Sequence, residues 1–402
     1  MYIKRTLEEG IKKLNTQFKV LLITGARQVG KSTLLKHCDE NRHYVTLDDY
    51  IEREMAIKEP EMFLQKHKAP LIIDEIQYAP KLLSYIKMNV DNSDEKGKYW
   101  LTGSQQFHMM KNVTESLAGR VAIIDLKGLS LKELDNTPQI PFMPTKDFIE
   151  KARKSAKQYE VTDLYNIIWQ GSYPELNADK NKNWETFYKS YLQTYIERDI
   201  KDLNAVKNEM DFVNFLKILA ARTGLMLNYT DIANEVGVTV MTIKSWVSIL
   251  VSSNIIYLLQ PYFKNLNKRI VKTPKMYFLD TGLCAFLSRW ANPQVLENGA
   301  MNGAFFETFV VSEIIKSYNH NIKEPNIYYY RDKEKREIDL IIEQDGKLYP
   351  VEIKKSANPD KKAIKHFSII PEDRMGEGAV ICLSKDDYPI TENVNMIPVG
   401  YI

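Results

Sequence analysis

The 402-residue chain holds only three cysteines, Cys38, Cys284 and Cys382, far apart and without a Cys-x-x-Cys pair. That excludes a disulfide framework and argues against a structural zinc. The six histidines, among them His37, His43, His108 and His320, show no metal-ligand spacing. No apolar run approaches the roughly 18 residues of a membrane span. The opening residues Tyr2-Ile3-Lys4-Arg5 lack the apolar stretch of a secretory signal. An excess of one charge is missing too: 55 Lys and Arg against 52 Asp and Glu leave +3. Any nucleic-acid footprint must therefore be local. Repeats and low-complexity tracts are absent. The expectation is a soluble, cytoplasmic protein with no membrane partner. What is present is ordinary globular material, 44% hydrophobic and 27% charged, long enough for two to three domains at roughly 150 residues each.

Over residues 1–130 short apolar runs alternate with helical patterns. Phe18–Thr24, His43–Leu47, Leu71–Ile73, Tyr99–Thr102 and Val121–Leu126 read as strands, the first nearly all apolar, as in a parallel sheet buried on both faces. Leu82, Leu83, Ile86 and Val90 form one helical face. Strands alternating with helices predict an α/β layered domain. Residues 131–210 follow as a helical lid or linker, opened by Pro138, Pro141 and Pro144 and interrupted at Gly171-Ser172-Tyr173-Pro174. In residues 211–290, Asn228 to Thr239 reads as a capped helix, a glycine turn and a second N-cap, a helix-turn-helix pattern with two strands after it. Residues 291–402 switch to a helix, a strand, a hairpin turned at Asp345-Gly346, and a closing strand at Gly378–Leu383.

Gly25-Ala26-Arg27-Gln28-Val29-Gly30-Lys31-Ser32 fits G-x-x-x-x-G-K-[ST] in full, between a strand and a helix that begins near Thr33. Its glycines let main-chain N–H groups face phosphate oxygens, and the helix N-terminus adds partial positive charge. Lys31 brings an ammonium to the β and γ phosphates, and Ser32 a hydroxyl to Mg²⁺. Leu71-Ile72-Ile73-Asp74-Glu75 ends a strand in two carboxylates. Asp74 suits Mg²⁺, and Glu75 suits the attacking water. The residues therefore predict a site for ATP and Mg²⁺.

Together with Gln77, Thr102-Gly103-Ser104, Ser116-Leu117-Ala118-Gly119-Arg120, Gly171–Pro174 and Tyr195–Ile200, these segments resemble prokaryotic AAA-type P-loop ATPases fused to a C-terminal domain long catalogued as of unknown function. The resemblance implies that Ser104 is a sensor of the γ-phosphate. It also implies that Arg120 is a finger reaching a neighbouring subunit, hence a ring or other homo-oligomer.

In Ile338-Asp339-Leu340 and Val351-Glu352-Ile353-Lys354, strand alternation puts Glu352 and Lys354 on one face and Val351 and Ile353 on the other, with Asp339 on the partner strand. Asp339 and Glu352 would chelate Mg²⁺, and Lys354 would position a water for phosphodiester attack. Glu307, on an upstream helix, would complete the set, and Arg331 precedes the hairpin. The arrangement looks like the restriction-endonuclease-like fold, with Asp, a spacer, then Glu-x-Lys. Such a fold either cleaves nucleic acid or serves as a binding platform. The predicted recognition helix, Val240–Leu250, has one basic residue, Lys244. Lys264, Lys268, Arg269, Lys272 and Lys275 read either as a basic wing tracking phosphates or as a solvated loop.

The expectation is thus a multidomain α/β protein. It has an AAA-type P-loop parallel-sheet domain, a helical and winged-helix middle, and a restriction-endonuclease-like α/β C-terminal domain. Its predicted function is ATP hydrolysis controlling a DNA-associated winged helix and nuclease-like domain, with nucleic acid (DNA ahead of RNA) as partner. The alternative is a nucleotide-dependent switch or adaptor with a catalytically silent fold, binding a protein or DNA.

Overall fold

The structure, a computed structural model, describes residues 2–103, 116–196, 208–262 and 273–402. The N-terminal module runs α1 (Leu7–Asn15), β1 (Val20–Thr24), α2 (Lys31–Cys38), β2 (His43–Thr46), α3 (Tyr50–Lys58), α4 (Pro60–Lys66), β3 (Leu71–Asp74), α5 (Leu82–Asp91), β4 (Tyr99–Thr102) and β5 (Val121–Asp125). The strands form a sheet in the order β2-β3-β4-β1-β5, and every neighbouring pair is parallel. All five C-terminal ends therefore lie along one edge. β1 is buried throughout, and its side chains alternate. Val20 and Leu22 join a core with Phe63, Ile73 and Ile86, while Leu21 and Ile23 join the larger core shared with the rest of the chain. α5 buries the four residues expected of it.

Next come α6 (Leu131–Leu134), α7 (Lys146–Arg153), α8 (Val161–Gln170), α9 (Pro174–Ala178) and α10 (Trp184–Tyr195). Ser130 and Glu133 close a reciprocal cap on α6. The middle module contains α11 (Glu209–Ala220), α12 (Tyr229–Val236) and α13 (Val240–Ser252), followed by an antiparallel pair, β6 (Ile256–Leu259) and β7 (Lys275–Phe278). α12 stops because Gly237 takes the left-handed conformation, φ 83°. Thr239 then caps α13, and the two helices are bent by 106°. Trp246 packs edge-on against Phe212, tying α13 to α11.

The C-terminal region adds α14 (Thr281–Leu287), α15 (Pro293–Asn298), the long α16 (Asn302–Asn319), and β8 (Ile327–Arg331), β9 (Glu337–Gln344), β10 (Lys347–Ile353), β11 (Gly378–Cys382), β12 (Tyr388–Thr391) and β13 (Val394–Pro398). The sheet order is β12-β13-β11-β10-β9-β8, with β10, β11 and β13 mutually parallel. The hairpin turns as expected, with φ 50° at Asp345 and 75° at Gly346. The sheet does not close at Gly378–Cys382; β12 and β13 extend it. One continuous core joins Leu21 of β1, Trp246 of α13 and Ile314 of α16, so the modules are fused through apolar packing. Among the described residues no single helix is long and apolar enough to cross a membrane.

Candidate functional sites

The loop after β1 is built from backbone conformations that glycine adopts cheaply. Gly25 has φ 142° and Gly30 φ 92°, and a Cβ on Gly25 would lie 2.2 Å from the Leu126 carbonyl oxygen. Ala26 and Val29 are buried and fasten the loop to the core. Arg27, Gln28, Gly30, Lys31, Ser32 and Thr33 line a cavity of about 590 Å³, with Glu75, Tyr2, Arg5 and Pro174 among its other walls. Lys31 Nζ donates to the carbonyls of Gly25 (3.1 Å) and Ala26 (2.8 Å).

β4 lies between β1 and β3, so Thr102 meets Asp74 at their shared edge. Asp74 accepts from Ser32 Oγ at 2.8 Å, from Tyr44 Oη at 2.7 Å and from Thr102 Oγ1. This carboxylate and hydroxyl are the hard oxygen donors that Mg²⁺ prefers. Glu75 adopts φ 57°. Its N–H donates to Thr102 Oγ1 at 3.2 Å, and its carboxylate accepts from Gln77 Nε2. Burial, with Asp74 alongside, raises the Tyr44 phenol above its ordinary value. Tyr44 was invisible in the sequence, because only the β2–β3 pairing brings it to Asp74.

The Gly171–Pro174 turn reaches this cavity through Pro174. It is held by Asp280, which accepts from Ser172 N–H (2.6 Å), Ser172 Oγ (2.8 Å) and Tyr188 Oη (2.8 Å). Asp280 is a second residue with no motif to announce it.

Arg120 sits elsewhere. It precedes β5, which is parallel to β1, so it lies at the opposite sheet edge, about 16 Å from the phosphate-loop end at about 3.3 Å per residue. There it forks onto Asp91, with Nη2 to Oδ2 at 3.0 Å. Ser104 lies outside the described residues, as do Glu197 to Ile200 and Lys264, Lys268, Arg269 and Lys272.

In the C-terminal sheet, two residues of β9, Asp339 and Leu340, oppose the single Tyr329 of β8. Such a bulge re-aims a side chain. Asp339 Oδ2 accepts from the Ile353 N–H at 2.9 Å and lies 3.9 Å from Lys354 Nζ, which donates to Glu352 at 2.5 Å. Burial, then the charges of Glu307 and Glu352, pushes Asp339 up to about 8, against the pull of Lys275 and Lys354. Burial raises Glu352 as well. Glu337, Asp339, Glu352 and Lys354 line an open concavity of about 640 Å³, rimmed by Lys335, Lys355, Lys362, Lys365 and His366. Val351 and Ile353 lie in the core instead, as alternation requires. Glu307 stands beside the concavity, accepting from Tyr277 Oη (2.6 Å) and Lys275 Nζ (3.2 Å). Among the described residues no three His, Cys, Asp or Glu side chains gather to hold a metal.

Lys275 overturns its sequence reading. Its ammonium is buried, 2.6 Å from Glu337 and 3.2 Å from Glu307, so it serves the carboxylates and is not exposed to phosphates. The exposed residues of α13 are Met241, Lys244, Ser245, Ser248 and Val251, still with one charge, as expected.

With this geometry in place, the first module can be compared with known proteins. Residues 17–135 match the family described as AAA domain. The N-terminal module, a parallel sheet with a phosphate-binding loop, is thus similar to P-loop ATPase domains of the AAA type. Residues 161–294 match a domain of unknown function (DUF8612), and residues 302–402 another (DUF4143). Uncharacterized proteins of Mycobacterium tuberculosis and Mycobacterium bovis are each 24% identical over 387 residues, covering 95% of this chain and 80% of theirs. A solved Walker-type ATPase of Pyrococcus abyssi is 16% identical, with a TM-score of 0.43 over 71% of this chain and 96% of that one.

Proposed function

We propose that the chain is a Mg²⁺-dependent ATPase whose nucleotide state controls a DNA-associated winged-helix-like module and a restriction-endonuclease-like site. The observation that carries the ATPase part is the Ser32–Asp74 hydrogen bond at 2.8 Å, with Ser32 lining a cavity beside Lys31 and Glu75. Triphosphate oxygens take the place of the loop carbonyls that now engage the Lys31 ammonium. Ser32 and Asp74 would hold Mg²⁺, which would supply positive charge against the phosphates. Glu75, tethered by Gln77, orients the attacking water and accepts its proton. Arg120 lies too far from its own phosphate loop to act there, so a finger role for it would need a neighbouring subunit and hence a homo-oligomer.

The units we assign are residues 1–130, 131–210, 211–290 and 291–402. Three helices followed by an antiparallel pair support the winged-helix-like reading of the third. For the fourth, the support is the bulged Asp339, Glu352 and Lys354 in one concavity with a basic rim. Such a rim attracts a phosphate backbone, and the central carboxylates with Lys354 are the chemistry of phosphodiester hydrolysis. Incubation with plasmid, single-stranded DNA and RNA tests this. We expect nicking by wild type that Asp339→Ala abolishes; a wild type inert on every substrate overturns it. The second reading, a nucleotide-dependent adaptor with a silent fold, is favoured by the Lys354 ammonium lying against both carboxylates.

A further inference from the structure

Arg5 belongs to neither motif, yet its guanidinium is 3% exposed and touches the phosphate loop. Nη1 donates to the Val29 carbonyl at 3.0 Å, and Nη2 to the Lys127 carbonyl at 2.7 Å. Nε lies 3.1 Å from Glu133. Glu133 is as deeply buried and also accepts from the Thr6 N–H (2.8 Å) and the Ser130 N–H (3.1 Å). His320, just beyond α16, places Nε2 3.5 Å from Arg5 Nη2 and Nδ1 3.4 Å from Glu133.

α16 grips the same segment from its other side. Lys316 Nζ donates to the Leu129 carbonyl at 2.9 Å, and Glu313 accepts from the Leu131 N–H at 2.8 Å. Residues 127–133 are therefore clamped between a guanidinium bound to the phosphate loop and the C-terminal half of α16. Glu307, on the same helix and about 14 Å from Lys316 at about 1.5 Å per residue, meets Lys275 beside the carboxylate concavity.

We infer that Arg5 is a positioning residue of the nucleotide site and the joint through which the phosphate loop acts on α16. The inference rests on the ATP-binding reading and supplies the route for its control. Triphosphate binding reorganises the loop that Lys31 now closes on itself. Val29 is part of that loop, and the planar fork of Arg5 holds several acceptors in fixed directions. Buried charges cannot be left unpaired cheaply, so a shift at Val29 is taken up by Glu133, residues 127–131 and α16 together. Such a network has discrete arrangements and can transmit a two-state change.

Hydrogen exchange on the full chain, with and without Mg²⁺ and a non-hydrolysable ATP analogue, tests it. At saturation the wild type should show slowed exchange in peptides covering 25–33, and at least about threefold slowed exchange in 129–134 and 313–320. Arg5→Lys keeps the charge and loses the fork. It should need about tenfold more analogue and, once saturated, protect 25–33 alone. Protection of 25–33 without the other two segments in wild type overturns the inference, and that comparison needs no variant. Equal protection of all three segments in Arg5→Lys overturns it too. No protection of 25–33 in wild type would instead defeat ATP binding itself.

Discussion

Glu75→Gln separates binding from chemistry at the phosphate-loop site. The glutamine is isosteric, and its amide oxygen can still accept from Gln77 Nε2, the partner of Glu75 Oε2. Its backbone keeps the N–H bond to Thr102 Oγ1 at 3.2 Å, so the cavity wall stays in place. What disappears is one negative charge and the ability to take a proton from water. General-base assistance is worth about 10²–10⁴ in rate, or about 3–5 kcal/mol of barrier. Turnover at saturating Mg²⁺-ATP should therefore fall at least about 100-fold. Nucleotide affinity should hold or tighten, because a carboxylate no longer faces the triphosphate. Phosphate release measured alongside equilibrium nucleotide binding reads both quantities. A kcat within about threefold of wild type would remove Glu75 as the base; weakened binding would mean that the substitution disturbed Asp74 and Thr102.

Three further outcomes are expected. Asp339 in the folded chain protonates at about 8, above the ordinary carboxyl value of about 3.9. The folded state therefore holds a proton the unfolded chain has released, and stability falls as pH rises between those values. Asp339→Asn should accordingly gain on wild type in Tm from pH 5 to pH 8, and a pH-independent difference would contradict the burial argument. Lys275→Met leaves Glu307 and Glu337 without their shared ammonium, a loss of about 3–5 kcal/mol for a broken buried pair; a urea-unfolding change under about 1 kcal/mol would mean the ammonium is not their partner. Finally, if Arg120 acts on a neighbour, turnover per chain should rise with protein concentration and Arg120→Ala should flatten that rise. Turnover independent of concentration in both would refute it.

The phosphate loop was legible because its chemistry is contiguous: Gly25 to Ser32 carries glycines, ammonium and hydroxyl within one turn between strand and helix. Asp74 and Glu75 were readable as a pair closing a buried strand, and the structure sets Asp74 beside Ser32 and Thr102. Arg120 was readable as a motif but not as a place, since only the parallel pairing of β5 with β1 puts it at the far edge. Lys275 misled because its sequence neighbours are basic; its real environment comes from Glu307 and Glu337, 32 and 62 residues away. Tyr44, Asp280 and Arg5 gave no local signal, as each works through contacts made only after the modules pack. The rim of Lys355, Lys362, Lys365 and His366 drew no reading from the sequence, and it gained meaning only beside Asp339 and Glu352.

Titration calorimetry of the full chain with ATP and Mg²⁺ tests the central claim most directly. Saturable binding tighter than about millimolar is expected, with Lys31→Ala weakened at least about 100-fold, since charge-assisted contacts to phosphate contribute about 1.5–3 kcal/mol each. Folded wild type that takes up no nucleotide, or a Lys31→Ala variant that binds as well as wild type, would contradict it.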